Sequence, residues 1–98
     1  MEVAYFYDMA GNPAMKKLLD QDFFKRIGPV VREAQMVGYE KEGFLIYIKA
    51  RDDLVEEARK LLKESPAKPL EGESAEKVIS YFREEAEAAE AGMGAIFG

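Results

Sequence analysis

The sequence predicts an α+β fold in which a small mixed or antiparallel sheet is covered on one face by helices. Three observations carry that expectation. Short aromatic and β-branched runs alternate with longer stretches whose apolar residues recur every three or four positions. Glycine and proline mark several segment boundaries, as Pro13, Gly28, Pro29 and Gly43 do. Ninety-eight residues suffice for one core, and every stretch flanking a proline-rich connector is too short to hold a second. The chain therefore reads as a single domain, 1–98, with residues 93–98 as an apolar C-terminal tail.

Residues 1–7, MEVAYFY, form the first predicted strand: the run is short, aromatic and partly β-branched. GNPAMKKLLDQDFFKRIGP follows as one amphipathic helix of about four turns. Asn12 is its expected N-cap, Pro13 its first helical residue, and Gly28 with Pro29 its stop. Met15, Leu18, Leu19, Phe23 and Ile27 make the apolar stripe.

AQMVGYEKEGFLIYIKA reads as a hairpin, with strands at 34–39 and 44–50 and a turn at 40–43 in which Gly43 supplies positive φ. Along the second strand Phe44, Ile46 and Ile48 share one face, while Leu45, Tyr47 and Lys49 share the other, semi-exposed one. RDDLVEEARKLLKES is the next helix, capped by Asp52 or Asp53. Leu54, Val55, Ala58, Leu61 and Leu62 line one side of it, and Glu56 and Lys60 stand at favourable pair spacing. SPAKPLEGE is a connector, with a brief edge strand expected at 68–71, because Pro66 and Pro69 restrict pairing to an edge. Ser74 caps the last predicted helix, which carries Ala75, Val78, Ile79, Phe82, Ala86 and Ala89 on its stripe and ends at Gly92. This order suits a ferredoxin-like βαββα(β) core with an extra C-terminal helix, with a three-stranded sheet and three helices as the alternative if the edge strand does not form.

Composition excludes several functions. The longest apolar runs are five residues, far below the roughly 20 that cross a bilayer, and Glu2 and Asp8 bracket the first, so neither a membrane partner nor a secretory signal is expected. The expectation is a soluble, cytoplasmic protein. Cysteine, histidine, tryptophan and threonine are absent, which removes thiolate chemistry and the commonest acid–base group near neutral pH. Few thermolabile side chains stand among many interspersed ions, as in thermophilic proteins. In this texture the chain resembles short proteins of hyperthermophilic archaea, a likeness that transfers no functional residue.

The chemical candidates are few. Asp52, Asp53, Glu56 and Glu57 offer oxygens to a hard cation, but acids also belong in a first helical turn, and no calcium-loop spacing is present. YDMAGNP is a strand-to-helix loop where an anion could rest, yet it lacks both phosphate-binding glycine patterns and carries Asp8. KEGFLIYIKAR is similar in part to the strand motif of RNA recognition domains, through Gly43, Phe44, Tyr47, Lys49 and Arg51. Ile46 stands at the inner aromatic position, Phe44 and Tyr47 alternate to opposite faces, and the net charge of −5 opposes phosphate binding, so nucleic acid is not an expected partner. No catalytic, cofactor-binding or metal-ligating residue is assigned. Asp8, Tyr47 and Lys49 are the residues an enzyme would use.

Charge is the strongest surface signal. Residues 14–32 carry five cations against two acids, net +3, whereas residues 71–98 carry seven glutamates against Lys77 and Arg83, net −5. Glu84, Glu85, Glu87 and Glu90 crowd a helix C-terminus, whose dipole end is itself negative, so a cationic neighbour is expected, with the basic first helix as the candidate. Burying Met93, Ile96 and Phe97 would return about 4.5–9 kcal/mol, against about 6–12 kcal/mol for ordering six residues. Backbone hydrogen bonds along a strand edge or a rigid groove on a second subunit would balance that account. Over a tail folded onto its own core, the reading favours a small homo-oligomer, most simply a homodimer whose interface uses the last helix, Met93, Ile96 and Phe97, or an exposed sheet face with Leu45 and Tyr47. The function expected is a non-catalytic homo-oligomeric interaction module. The alternatives are a small-ligand regulatory domain, its ligand unspecified, and an enzyme of carboxylate, lysine or tyrosine chemistry.

Overall fold

Strand alternation decides which side chains each layer receives. In the computed structural model, which describes the backbone of residues 1–97 and the side chains of residues 1–89, β1 (Glu2–Tyr7) is central and pairs antiparallel with β3 (Phe44–Lys49), Glu2 opposite Lys49 and Tyr7 opposite Phe44. With β2 (Val30–Glu33) and β4 (Lys68–Pro69) they form one antiparallel sheet in the order β2-β3-β1-β4. The protein is thus α+β, and the expected fourth strand is present as a two-residue edge. Both edge strands are short and carry or adjoin proline and charge, which blunts them against edge-to-edge pairing.

The first face of the sheet receives Val3, Tyr5, Tyr7, Ile46 and Ile48, packed against Met15 of α1 (Asn12–Leu19), Phe24 of α2 (Asp22–Ile27), and Val55, Ala58 and Leu62 of α4 (Asp52–Lys63). The second face receives Ala4, Leu45 and Tyr47, and is covered by Val78 and Phe82 of α5 (Gly72–Phe97) and by Ala34 of the short α3 (Ala34–Val37). Helices therefore cover both faces, not one. The face expected to be exposed is covered: Leu45 is fully buried beneath α5, and Tyr47 is half-buried there.

Two other expectations fail for reasons of phase. The single helix expected after the first loop is two, because Gln21 adopts an extended conformation immediately before α2. In an unbroken helix Phe24 would sit nine residues, or about 180°, from Met15; resetting the phase at Gln21 lets both enter the core. The strand expected at 34–39 is instead α3, and β2 lies earlier, on the β-branched Val30 and Val31. A strand there would have turned Met36 to the same face as Ala34, whereas Met36 is 62% exposed and Ala34 buried. Ala34 N–H donates to Gly43 C=O, closing the hairpin, and Gly43 takes φ 151°, where a Cβ would lie 2.4 Å from the Tyr7 carbonyl oxygen.

The helix ends differ in detail. Asp8 rather than Asn12 supplies the side-chain cap before α1, Ser74 lies inside the first turn of α5 rather than capping it, and Glu56 pairs with Arg59 rather than Lys60. Helix α5 runs past the expected end at Gly92, to Phe97.

Candidate functional site

Helix α5 is seated on the second face by more than apolar contact. Phe82 stacks on Tyr47 with centroids 5.1 Å apart and planes 5° from parallel. Beside this stack Arg83 Nε donates to both Glu2 carboxylate oxygens at 2.9 and 3.0 Å, Arg83 Nη2 donates to Glu2 Oε1, and the Tyr47 hydroxyl donates to Glu2 Oε2. One turn on, Arg32 of β2 donates through Nε and Nη2 to Glu85 Oε1 at 3.0 and 2.6 Å. The countercharge expected near the terminal glutamates is therefore Arg32 for Glu85, not the first helix, which packs on the other face.

These contacts set the protonation states. Hydrogen bonding to Arg83 holds the Glu2 carboxyl down at about 2 despite its burial, assisted by Tyr47 and by the charges of Arg83 and Lys49. Burial, then the bond to Glu2, pushes the Tyr47 phenol up to about 12. The carboxylate likewise holds the Arg83 guanidinium above its ordinary range. A carboxylate this acidic and a phenol this weak exchange no protons near neutral pH; the cluster pins a helix.

The other sequence candidates do not converge. Asp8 Oδ1 accepts the Gly11 N–H at 3.0 Å, which occupies a backbone donor that an anion would need. Asp8 follows Tyr7, whereas Lys49 lies opposite Glu2 at the far end of β1, about 20 Å away along the strand. Asp52 pairs with the N-terminal amine, Asp53 with Arg51 and Glu56 with Arg59, at 3.7, 3.4 and 3.5 Å. Among the described residues no three acids group into a metal-holding cluster. The side chains of Met93, Ile96 and Phe97 lie outside the described residues.

One concavity among the described residues was not legible in the sequence. It is an open cleft of 660 Å³ along the sheet edge at β1 and β4, walled by α4 on one side and α5 on the other. Its origin is local: Leu70 N–H makes the last rung to Ala4 C=O, and Gly72 at φ 62° then turns the chain away into α5. No strand therefore continues beside Glu2. Because Ala50 N–H donates to Met1 C=O on the β3 side, antiparallel alternation points the Glu2 main-chain groups to the cleft. Leu62, Ala67, Leu70 and Ile79 give the cleft an apolar lining, Arg59 and Lys63 stand on the α4 wall, and Glu71 and Glu76 on the opposite wall.

Tyr5 also lines this cleft and is only 5% exposed. Tyr47 is the one tyrosine whose hydroxyl has a partner among the described residues. Among the described residues no enclosed side-chain polar atom is left without a partner, so the unpaired Tyr5 hydroxyl is open to solvent. Burial raises the Tyr5 phenol, and the charges acting on it, Arg59 and Glu56, belong to α4.

No known protein family matches the chain, and neither the curated proteins nor the solved structures yield a significant match.

Proposed function

We propose that the chain is a non-catalytic module that associates with itself, most simply as a two-fold dimer, on a ferredoxin-like core extended by α5. The strand order β2-β3-β1-β4 supports that core, with α1 and α2 bridging β1 to β2 and α4 bridging β3 to β4.

One observation carries the self-association: the docking face of α5 outruns the sheet. Val78 and Phe82 are buried, and Ala86 and Ala89 continue the same stripe, yet both are exposed. The occupant that fits is a second copy. Glu84 and Glu87 flank this stripe exposed, and make no ion pair among the described residues. Lys16, Lys17 and Arg26 on α1 and α2 are also exposed and unpaired among the described residues. These cations lie on helices of the opposite sheet face from α5, so one molecule does not bring its own two surfaces together. A second copy can supply to the α5 stripe the cations that the chain's own α1 and α2 do not.

Sedimentation equilibrium tests this reading. The native chain is expected to be a dimer that weakens as salt rises, and the double variant Ala86→Glu, Ala89→Glu a folded monomer. A native chain that stays monomeric at millimolar concentration defeats the proposal.

A further inference from the structure

We infer that the edge cleft between α4 and α5 binds a small apolar zwitterion, of free amino acid to tripeptide size, gripped at its two oppositely charged ends. Its volume of 660 Å³ lies in the roughly 300–1,000 Å³ range of small-molecule sites. Four features of this one cleft agree on that chemistry.

The lining that Leu62, Ala67, Leu70 and Ile79 provide removes aliphatic side chains from water. The α4 wall is cationic: Arg59 and Lys63 stand one turn apart and face the cleft. Lys63 makes no ion pair among the described residues, and Arg59 makes only the exposed one to Glu56 at 3.5 Å. The opposite wall is anionic, with Glu71 and Glu76 in no ion pair among the described residues. A ligand carrying a single charge meets one attractive wall and one repulsive wall; a zwitterion satisfies both.

The third feature is Tyr5. A phenol buried to this degree ordinarily has a partner for its hydroxyl. This one has none among the described residues, opens to solvent, and lies within the field of Arg59 on the cationic wall. It is placed to donate to a carboxylate that Arg59 and Lys63 hold. The fourth is the vacated sheet edge, where the Glu2 main-chain N–H and C=O match the amide groups of a peptide and leave a free amino acid fewer bonds.

Titration of the isotope-labelled full chain by amide NMR tests the inference, with leucine, Leu-Leu and Leu-Leu-Leu as probes and N-acetyl-Leu-Leu-amide as the uncharged control. Leucine binding as tightly as the peptides assigns the site to free amino acids; tighter binding of the peptides assigns it to peptides. Saturable shifts at Leu62, Ala67, Ala75 and Ile79 are expected for at least one zwitterion, with binding of the blocked peptide about tenfold weaker or worse. Arg59→Gln with Lys63→Gln, and separately Glu71→Gln with Glu76→Gln, each weaken the best probe about tenfold. Tyr5→Phe removes a hydroxyl with no protein partner, so it leaves the melting temperature in place while weakening the same probe several-fold. Absence of saturable shifts with every zwitterion, or equal binding of blocked and free peptides, overturns the inference. None of these residues lies on the exposed end of α5, so the outcome is independent of the state of association.

Discussion

Under α1, α2 and α4 the sheet meets only apolar side chains, whereas under α5 the same sheet meets a ring stack flanked by ion pairs. The first face buries Met15, Phe24, Ile46, Ile48, Val55, Ala58 and Leu62 completely. The second buries a smaller set, Ala4, Ala34, Leu45, Val78 and Phe82, and adds Glu2–Arg83 and Arg32–Glu85 at its rim. Apolar contact has no charge for salt to screen or pH to titrate, while partly exposed ion pairs respond to both. The first face holds the fold together. The second tethers a helix whose free end is where we place the partner contact.

The sharpest way to break this comparison is to cut into the first face. Phe24 is fully buried, so Phe24→Ala is expected to cost about 3–5 kcal/mol and to lower the urea midpoint of one cooperative transition. A loss confined to α2, with the remainder of the chain unfolding at its native midpoint, would show that the face is not one cooperative unit.

A smaller effect should come from titrating the second face. Folding holds Glu2 at about 2 against an ordinary 4.5, so the unfolded chain takes up its proton first. This contribution is fully present above about 4.5 and is lost as pH falls toward 2. At the alkaline end the sign reverses. Tyr47, raised from 10.0 to about 12, loses its proton more readily when unfolded, so stability falls as pH rises above about 10. Urea midpoints measured across pH should show both slopes, with Glu2→Gln removing the acid component due to this residue and Tyr47→Phe removing only its own share of the alkaline slope, because burial also raises the Tyr5 and Tyr7 phenols. A profile unchanged by Glu2→Gln would mean that the Arg83 contact does not hold α5 in solution.

What the sequence disclosed followed the range of the interactions. Strands β1 and β3, the apolar stripe of α4 and the short edge strand β4 follow from spacing and from proline, which act over a few residues. The break at Gln21 was hidden because Phe23 alone continues the stripe from Met15; Phe24 becomes a core residue only when a sheet face exists to receive it. Strand β2 was hidden by the alternation of 34–39, which matches a strand until Gly38 and the buried Ala34 require a turn. The countercharge for Glu85 was foreseen in sign and misplaced in position. The Glu2–Arg83 pair joins residues 81 apart, and the cleft arises where a strand ends after two residues. No local pattern encodes either.

The smallest effect sharpens the comparison along α5 itself. Ala86 continues the stripe of Val78 and Phe82 but is exposed, so within one molecule it rests on nothing. Ala86→Gln at high dilution, where a dimer is dissociated, is expected to change unfolding free energy by no more than about 0.5 kcal/mol. At concentrations where the native chain associates, the same change places a longer polar side chain in the contact and raises the dissociation constant. Denaturation and sedimentation of one variant thus separate the tethered part of the helix from the part that reaches outward. A large loss of stability at high dilution would place Ala86 against its own sheet and remove the surface offered to a second copy.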